Sequence, residues 1–130
     1  MTIEACIKCS EIESSLRFYT QILDFTVELA PDPDRQAFMS KYALLKRGDS
    51  LLHLSSHEGD GVFGNLIYVR VQTIEKLYAE FLARGLNTKS PDQYPSLTIK
   101  LTEQSWGMKE FSVRDPDGNK FTFGEEIRDS

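Results

Sequence analysis

The stretch Gln104–Glu126, Q-S-W-G-M-K-E-F-S-V-R-D-P-D-G-N-K-F-T-F-G-E-E, decides how the rest of the chain is read. Phe111 and Val113 alternate with Glu110, Ser112 and Arg114, the period-two pattern of a strand with one apolar face. Asp115-Pro116-Asp117-Gly118-Asn119 carries turn chemistry: proline fixes φ, aspartate bonds its own backbone, and glycine takes a positive φ freely. Phe121 and Phe123 then alternate with Lys120 and Thr122, so the chain returns as a second strand. Trp106 stands before the hairpin beside Gly107, where a core has no evident need of a large ring. It is therefore the first candidate for contact with a ligand.

Upstream, the same alternation recurs. Ile3, Ala5, Ile7 and Cys9 interleave with Glu4, Cys6 and Lys8, which predicts a strand over residues 3–9. Ser10 with Glu13 has the spacing of a capping box, and Ile12, Leu16, Tyr19 and Leu23 continue at helical period to about residue 23. Phe25, Val27 and Leu29 form a strand ended by Pro31-Asp32-Pro33-Asp34, and residues 42–47 and 50–56 read as two strands turned at Gly48-Asp49. Phe63 lies exposed between glycines in the connector that follows. The second half repeats the plan: a strand at Ile67, Val69 and Val71, a helix capped by Thr73 and ended by Gly85, then strands near 97–102, 109–114 and 120–124.

A shift of 62 residues superposes the halves, Glu4 on Leu66, Ile12 on Ile74 and Tyr19 on Phe81. The expectation is an α+β fold, one domain over 1–130 made of two βαβββ modules, 1–58 and 65–126, whose curved sheets carry helices on their outer faces. The apolar face of each first strand then goes to its helix, and the other face lines a concavity. Glu4, Cys6, Lys8, His53, Ser55, Leu66, Tyr68, Arg70, Glu110, Ser112, Arg114 and Thr122 fall on that inner side. So many charges cannot form a dry core, because an unpaired buried charge is very costly. The inner face should be a wet, ligand-sized cleft.

Composition narrows the function. With 20 acidic against 15 basic residues the net charge is −5, which argues against a nucleic-acid partner and suits a cationic ligand. No apolar run approaches bilayer length, and the start M-T-I-E lacks the basic-then-apolar order of a secretory leader, so the chain is read as cytoplasmic. Cys6 and Cys9 form C-I-K-C, but three apart in a strand they point to opposite faces. They are read as two reduced thiols. His53 and His57 fit no nucleophile–histidine–acid order, and Glu4 and Glu110, the candidate general bases, are better explained as pairing charges.

The W-G-x-x-E-F and R-D-P-x-G-N elements, with L-I-Y-V-R-V and L-Y-A-E in the second half, resemble the vicinal oxygen chelate superfamily: glyoxalase I, extradiol dioxygenases and bleomycin resistance proteins. They are most similar to the bleomycin-resistance branch. The resemblance spans essentially the whole chain and implies a metal held by four positions, here Glu4, His53, Leu66 and Thr122. Leu66 cannot ligate and Thr122 is a weak neutral donor, so no metal and no cofactor is expected. The branch sequesters a glycopeptide antibiotic without chemistry in clefts of a homodimer, flat rings on aromatic side chains and acidic groups near the cationic tail. That implies Trp106 as a stacking surface, with Phe38 and Phe63 as partners and Glu4, His53, Tyr68, Arg70, Glu110 and Ser112 around the ligand. Arg70 puts a cation in that pocket and favours an anionic or mixed-charge small molecule over bleomycin itself. The alternative implied is an enzyme of the superfamily (lyase, isomerase or dioxygenase-like) using a metal or a side-chain base at Glu4/His53.

Overall fold

The computed structural model describes residues 1–34, 39–88 and 99–128. The chain forms two compact units, Met1–Asn65 with Asp115–Asn119, and Leu66–Arg114 with Lys120–Ser130. In the first, β1 (Ala5–Lys8) is followed by α1 (Ile12–Arg17), a π-helical turn (Phe18–Ile22), β2 (Thr26–Leu29), β3 (Tyr42–Arg47) and β4 (Ser50–Ser55). In the second, β5 (Leu66–Arg70) is followed by α2 (Ile74–Ala83), β6 (Thr102–Glu103), β7 (Met108–Arg114) and β8 (Lys120–Glu126). Each unit holds a four-stranded sheet, ordered β1-β4-β3-β2 and β5-β8-β7-β6. The first and last strands of each unit pair in parallel and the remaining pairs are antiparallel, which makes this an α+β fold of two mixed sheets.

In the first sheet Ile7, Leu52, Leu54, Ala43 and Leu45 are buried on one face with Ile12, Tyr19 and Leu23 from the helical segment. The first strand is shorter than residues 3–9, and Ile3 is 89% exposed. The helix also departs from expectation. Ser10 does not cap it: its amide and hydroxyl both go to the Asp117 carboxylate, at 3.1 and 2.6 Å, and Glu11 is the N-cap residue without a side-chain cap. A charged acceptor has outcompeted the helix for the serine. After Arg17 the turn widens, Leu23 N–H bonding Phe18 O, and Tyr19 and Leu23 are both fully buried. Asp24 at φ 61° then ends the segment in the left-handed region that aspartate tolerates, and Arg47 donates to Leu23 O at 2.6 Å.

The Asp115–Asn119 turn is wired as its chemistry dictates. Asp115 Oδ1 accepts the amides of Asp117 and Asn119, both at 2.9 Å, while Oδ2 accepts Tyr19 Oη at 2.7 Å and Asn119 Nδ2 at 2.8 Å. Asn119, fully buried, also donates to Lys8 O and accepts the amides of Gly64 and Asn65. One asparagine thus joins the turn, β1 and the connector within the first unit.

In the second unit Phe111, Val113, Phe121 and Phe123 form the buried face with Ile74 and Phe81 of α2. Phe111 and Phe123 stack at 5.0 Å between centroids, and Phe81 meets both edge-on, contacts worth about 0.5–1.5 kcal/mol per pair beyond burial. Thr73 is the N-cap residue of α2 without a side-chain bond; Glu125 takes the Ile74 amide instead at 3.4 Å. Gly85 at φ 101° closes the helix, with Leu86 N–H reaching back to Phe81 O. Of the strand expected near 97–102, residues 97 and 98 lie outside the described residues and 99–101 are not strand; β6 begins only at Thr102, pairing it with Glu110 and Glu103 with Lys109.

Candidate functional site

Sheet register gathers the polar positions of the second unit on one face. Arg70 and Glu110 flank Gly124 in a cross-strand row that continues to Thr102, and Tyr68, Thr122 and Ser112 form the next row. Cross-strand partners share a face, so this is the side opposite the phenylalanine core. Glu110 is the centre of it. Only 7% exposed, its Oε2 accepts Tyr68 Oη at 2.6 Å and Trp106 Nε1 at 3.4 Å. Oε1 has no partner among the described residues and is not sealed from solvent. Trp106 is 64% exposed, with its indole N–H tethered to Glu110.

Gly124 makes the constellation possible. A Cβ there would lie 1.9 Å from Tyr68 Oη and 2.6 Å from its Cζ, so the phenol occupies the space a side chain would take. Burial pushes the Tyr68 phenol up to about 12, the hydrogen bond to Glu110 and that carboxylate's charge adding to the shift while Arg70 opposes it. Arg70 lies over the Tyr68 ring, 5.8 Å from its centroid, and makes no hydrogen bond or ion pair among the described residues. One row below, Ser112 and Thr122 bond each other through their hydroxyls at 3.0 Å.

The first unit has its own polar face. His53 Nε2 donates to Glu4 Oε1 at 2.7 Å, which leaves Nδ1 to accept the Tyr42 hydroxyl. Cys6 is the register partner of His53, but burial first and Asp60 second raise its thiol, which keeps it protonated and a poor nucleophile. Cys9 is buried and pushed up to about 11, chiefly by desolvation. Ser55 is fully buried and donates to Asp60 Oδ2 at 2.8 Å. Phe63 is 51% exposed, with the Lys8 ammonium 5.4 Å from its ring centroid.

The sequence-predicted residues therefore fall into two sets. Tyr68, Arg70, Glu110, Ser112 and Trp106 are brought together in the second unit; Glu4 and His53 meet in the first, with Phe63 elsewhere in it. Phe38 lies outside the described residues. Tyr42 and Gly124 were not singled out from sequence. Nothing linear marks Tyr42, whereas a glycine inside an alternating strand signals close approach by another group.

The four positions that the resemblance assigns to a metal do not fit one. Leu66 offers no donor and Thr122 is bonded to Ser112, which leaves Glu4 and His53. Among the described residues no group of three His, Cys, Asp or Glu side chains is arranged to hold an ion. No described helix is long and apolar enough to cross a membrane.

Two β-α-β-β-β units, each a mixed sheet with a helix on one face and a polar constellation on the other, define the class of protein. The chain belongs to the glyoxalase superfamily: a family model described as "Glyoxalase superfamily protein" matches residues 2–130. Among solved structures it is similar to a bleomycin-binding protein complexed with bleomycin, at 20% identity and TM-score 0.71 over 97% of this chain and 98% of that one. It is also similar to a bleomycin resistance determinant encoded on the transposon Tn5 (21%, TM-score 0.71, 97% and 98% covered). A third likeness is to the bleomycin-binding protein of Streptomyces verticillus complexed with copper(II)-bleomycin (21%, TM-score 0.66, 99% and 98% covered). These identities establish the fold alone. No curated protein matches the sequence.

Proposed function

We propose that this protein binds and sequesters a small molecule without chemistry and without a metal, on the polar face that carries Trp106 and Glu110. The observation that carries the reading is a mostly buried carboxylate, donated to by Tyr68 and Trp106 and with one oxygen still open, beneath an exposed indole. A flat aromatic group can stack on the indole while a donor on the ligand takes the open oxygen. Solved structures of the same fold, bleomycin-binding proteins complexed with bleomycin, support a drug-sequestering role of the antibiotic-resistance kind. The family resemblance adds a cleft of a homodimer to this reading. The exposed edge strand β2 and the exposed Leu66 and Tyr68 of β5 are compatible with such assembly.

The experiment is a thermal-shift screen across glycopeptide drugs, thiols and aromatic acids, followed by Trp106→Ala. Binding of a flat ligand should weaken by about 1–3 kcal/mol. Stability should change far less than the roughly 3–5 kcal/mol of deleting a core aromatic. Loss of several kcal/mol of stability with ligand binding intact would assign Trp106 to structure and end this reading.

A second reading, a side-chain base at His53, has one observation in its favour: the Tyr42–His53–Glu4 chain orients the imidazole as a general base is oriented. Recovering every bound ligand chemically unchanged after long incubation would count against it. A ligand consumed by wild type but not by His53→Ala would count for it.

A further inference from the structure

We infer that the ligand of the Trp106 face is a mixed-charge molecule, with a cationic N–H donor at one end, an anionic group at the other and an apolar or aromatic middle. The inference rests on the binding reading above and adds the charge pattern. Glu110 and Arg70 are the two ends. Both are register partners of Gly124, on opposite sides of it, so their backbones stand two interstrand spacings apart, about 10 Å. They do not neutralise each other. Arg70 forms no ion pair among the described residues, and the two donors on Glu110 are neutral groups that share one oxygen.

Such an arrangement leaves two unspent demands on one face. The open oxygen of a mostly buried carboxylate is best satisfied by a charged donor, and the unpaired guanidinium by a carboxylate or phosphate, which it grips in bidentate fashion. Between them lies no charge. Gly124 contributes no side chain, and the Tyr68 ring fills the space above it, its hydroxyl already committed to Glu110. The floor linking the two ends is therefore an aromatic surface, flanked by the exposed indole of Trp106. A purely cationic ligand would satisfy Glu110 and meet repulsion at Arg70; a purely anionic one would face the reverse.

An extended tripeptide spans about 10 Å between its termini, comparable to the spacing of the two strands, so Gly-Phe-Gly offers an ammonium and a carboxylate at its two ends with a ring between them. Trp106 is the sole tryptophan, and a phenylalanine probe leaves its emission clear. Free Gly-Phe-Gly, its N-acetyl form and its C-terminal amide would be titrated against the full chain by Trp106 fluorescence, alongside Arg70→Gln, Glu110→Gln and Lys120→Gln. The free peptide should bind, and each blocking group should weaken binding about tenfold or more, as loss of a charge-assisted hydrogen bond does. Arg70→Gln should erase only the preference over the amide, and Glu110→Gln only the preference over the acetylated form. Lys120→Gln, four residues along β8 from Gly124, should change neither preference. Equal binding of the free peptide and its amide would overturn the inference, as would blocking effects that both variants leave intact. Silence of all three peptides at millimolar concentration also overturns it. Since the screen of the preceding section does not depend on peptides, a hit there that shields Trp106 would keep the binding site while this charge pattern falls.

Discussion

Replacing Gly124 by alanine tests the geometry on which the face depends. The new Cβ would lie 1.9, 2.6 and 3.1 Å from Tyr68 Oη, Cζ and Cε1, the first two closer than a Cβ approaches any unbonded atom. Gly124 sits in β8 with an ordinary φ, so the backbone itself accepts alanine. Alanine there would by itself favour folding by about 0.4–1 kcal/mol through the unfolded chain. The ring must instead swing out, giving up its bond to Glu110 and leaving that carboxylate with only the longer contact from Trp106. A hydrogen bond to a charged group is worth about 1.5–3 kcal/mol net, and a half-exposed phenol recovers part of this from water. The balance is a loss of about 1–2 kcal/mol, read as a lower urea midpoint at unchanged m-value. Tyr68 should then titrate near 10 rather than about 12, since burial and the carboxylate no longer hold its proton. The double variant with Tyr68→Ala should be no less stable than Tyr68→Ala alone, because the clash has no partner. Wild-type stability with Tyr68 still titrating near 12, or strict additivity in the double variant, would refute the reasoning.

Asn119→Ala should cost about 3–5 kcal/mol, since it strands the amides of Gly64 and Asn65, the Lys8 carbonyl and one bond to Asp115; equilibrium unfolding measures it, and a change below 1 kcal/mol would contradict the network. The raised Tyr68 phenol binds its proton more tightly folded than unfolded, so its contribution to stability is complete below about pH 10 and is lost as pH rises through about 12; in Tyr68→Phe, unfolding curves taken across that window should lose part of the wild-type decline. The homodimer proposed above should give about twice 14.8 kDa by light scattering at micromolar concentration, and a monomer mass there would remove the shared cleft.

Period-two alternation was enough to place most of the sheets, because most of the phenylalanines and aliphatics it sets on one face are buried, Ile3 and the edge-strand residues Val27 and Leu29 excepted. Phe111, Val113, Phe121 and Phe123 form one such face, Ile7, Leu52 and Leu54 the other. The same rule put Tyr68, Arg70, Glu110 and Ser112 together on the opposite side, where they stand. What the rule cannot reach is contact across sequence distance. Ser10 looked like a helix cap because its neighbours fit the local pattern, yet the Asp117 carboxylate, brought near by tertiary folding, takes both of its groups. Asn119 looked like one more turn residue, and its burial among β1 and the connector is invisible in D-P-D-G-N.

Gly124 shows how such information can still be present. A glycine inside F-T-F-G-E-E gives no side chain to either face and weakens a strand. Its cost has to be offset by something that uses the gap. The position is followed through the register to Glu110 on one side and Arg70 on the other, both polar and both facing the same way. A ring two residues back on the neighbouring strand, with a hydroxyl at its far end, is the group that can cross a missing side chain and still reach a carboxylate. Tyr68 is that group, 2.6 Å from Glu110. The gap and the phenol explain each other, and together they fix how the buried Glu110 carboxylate of this face presents its remaining oxygen.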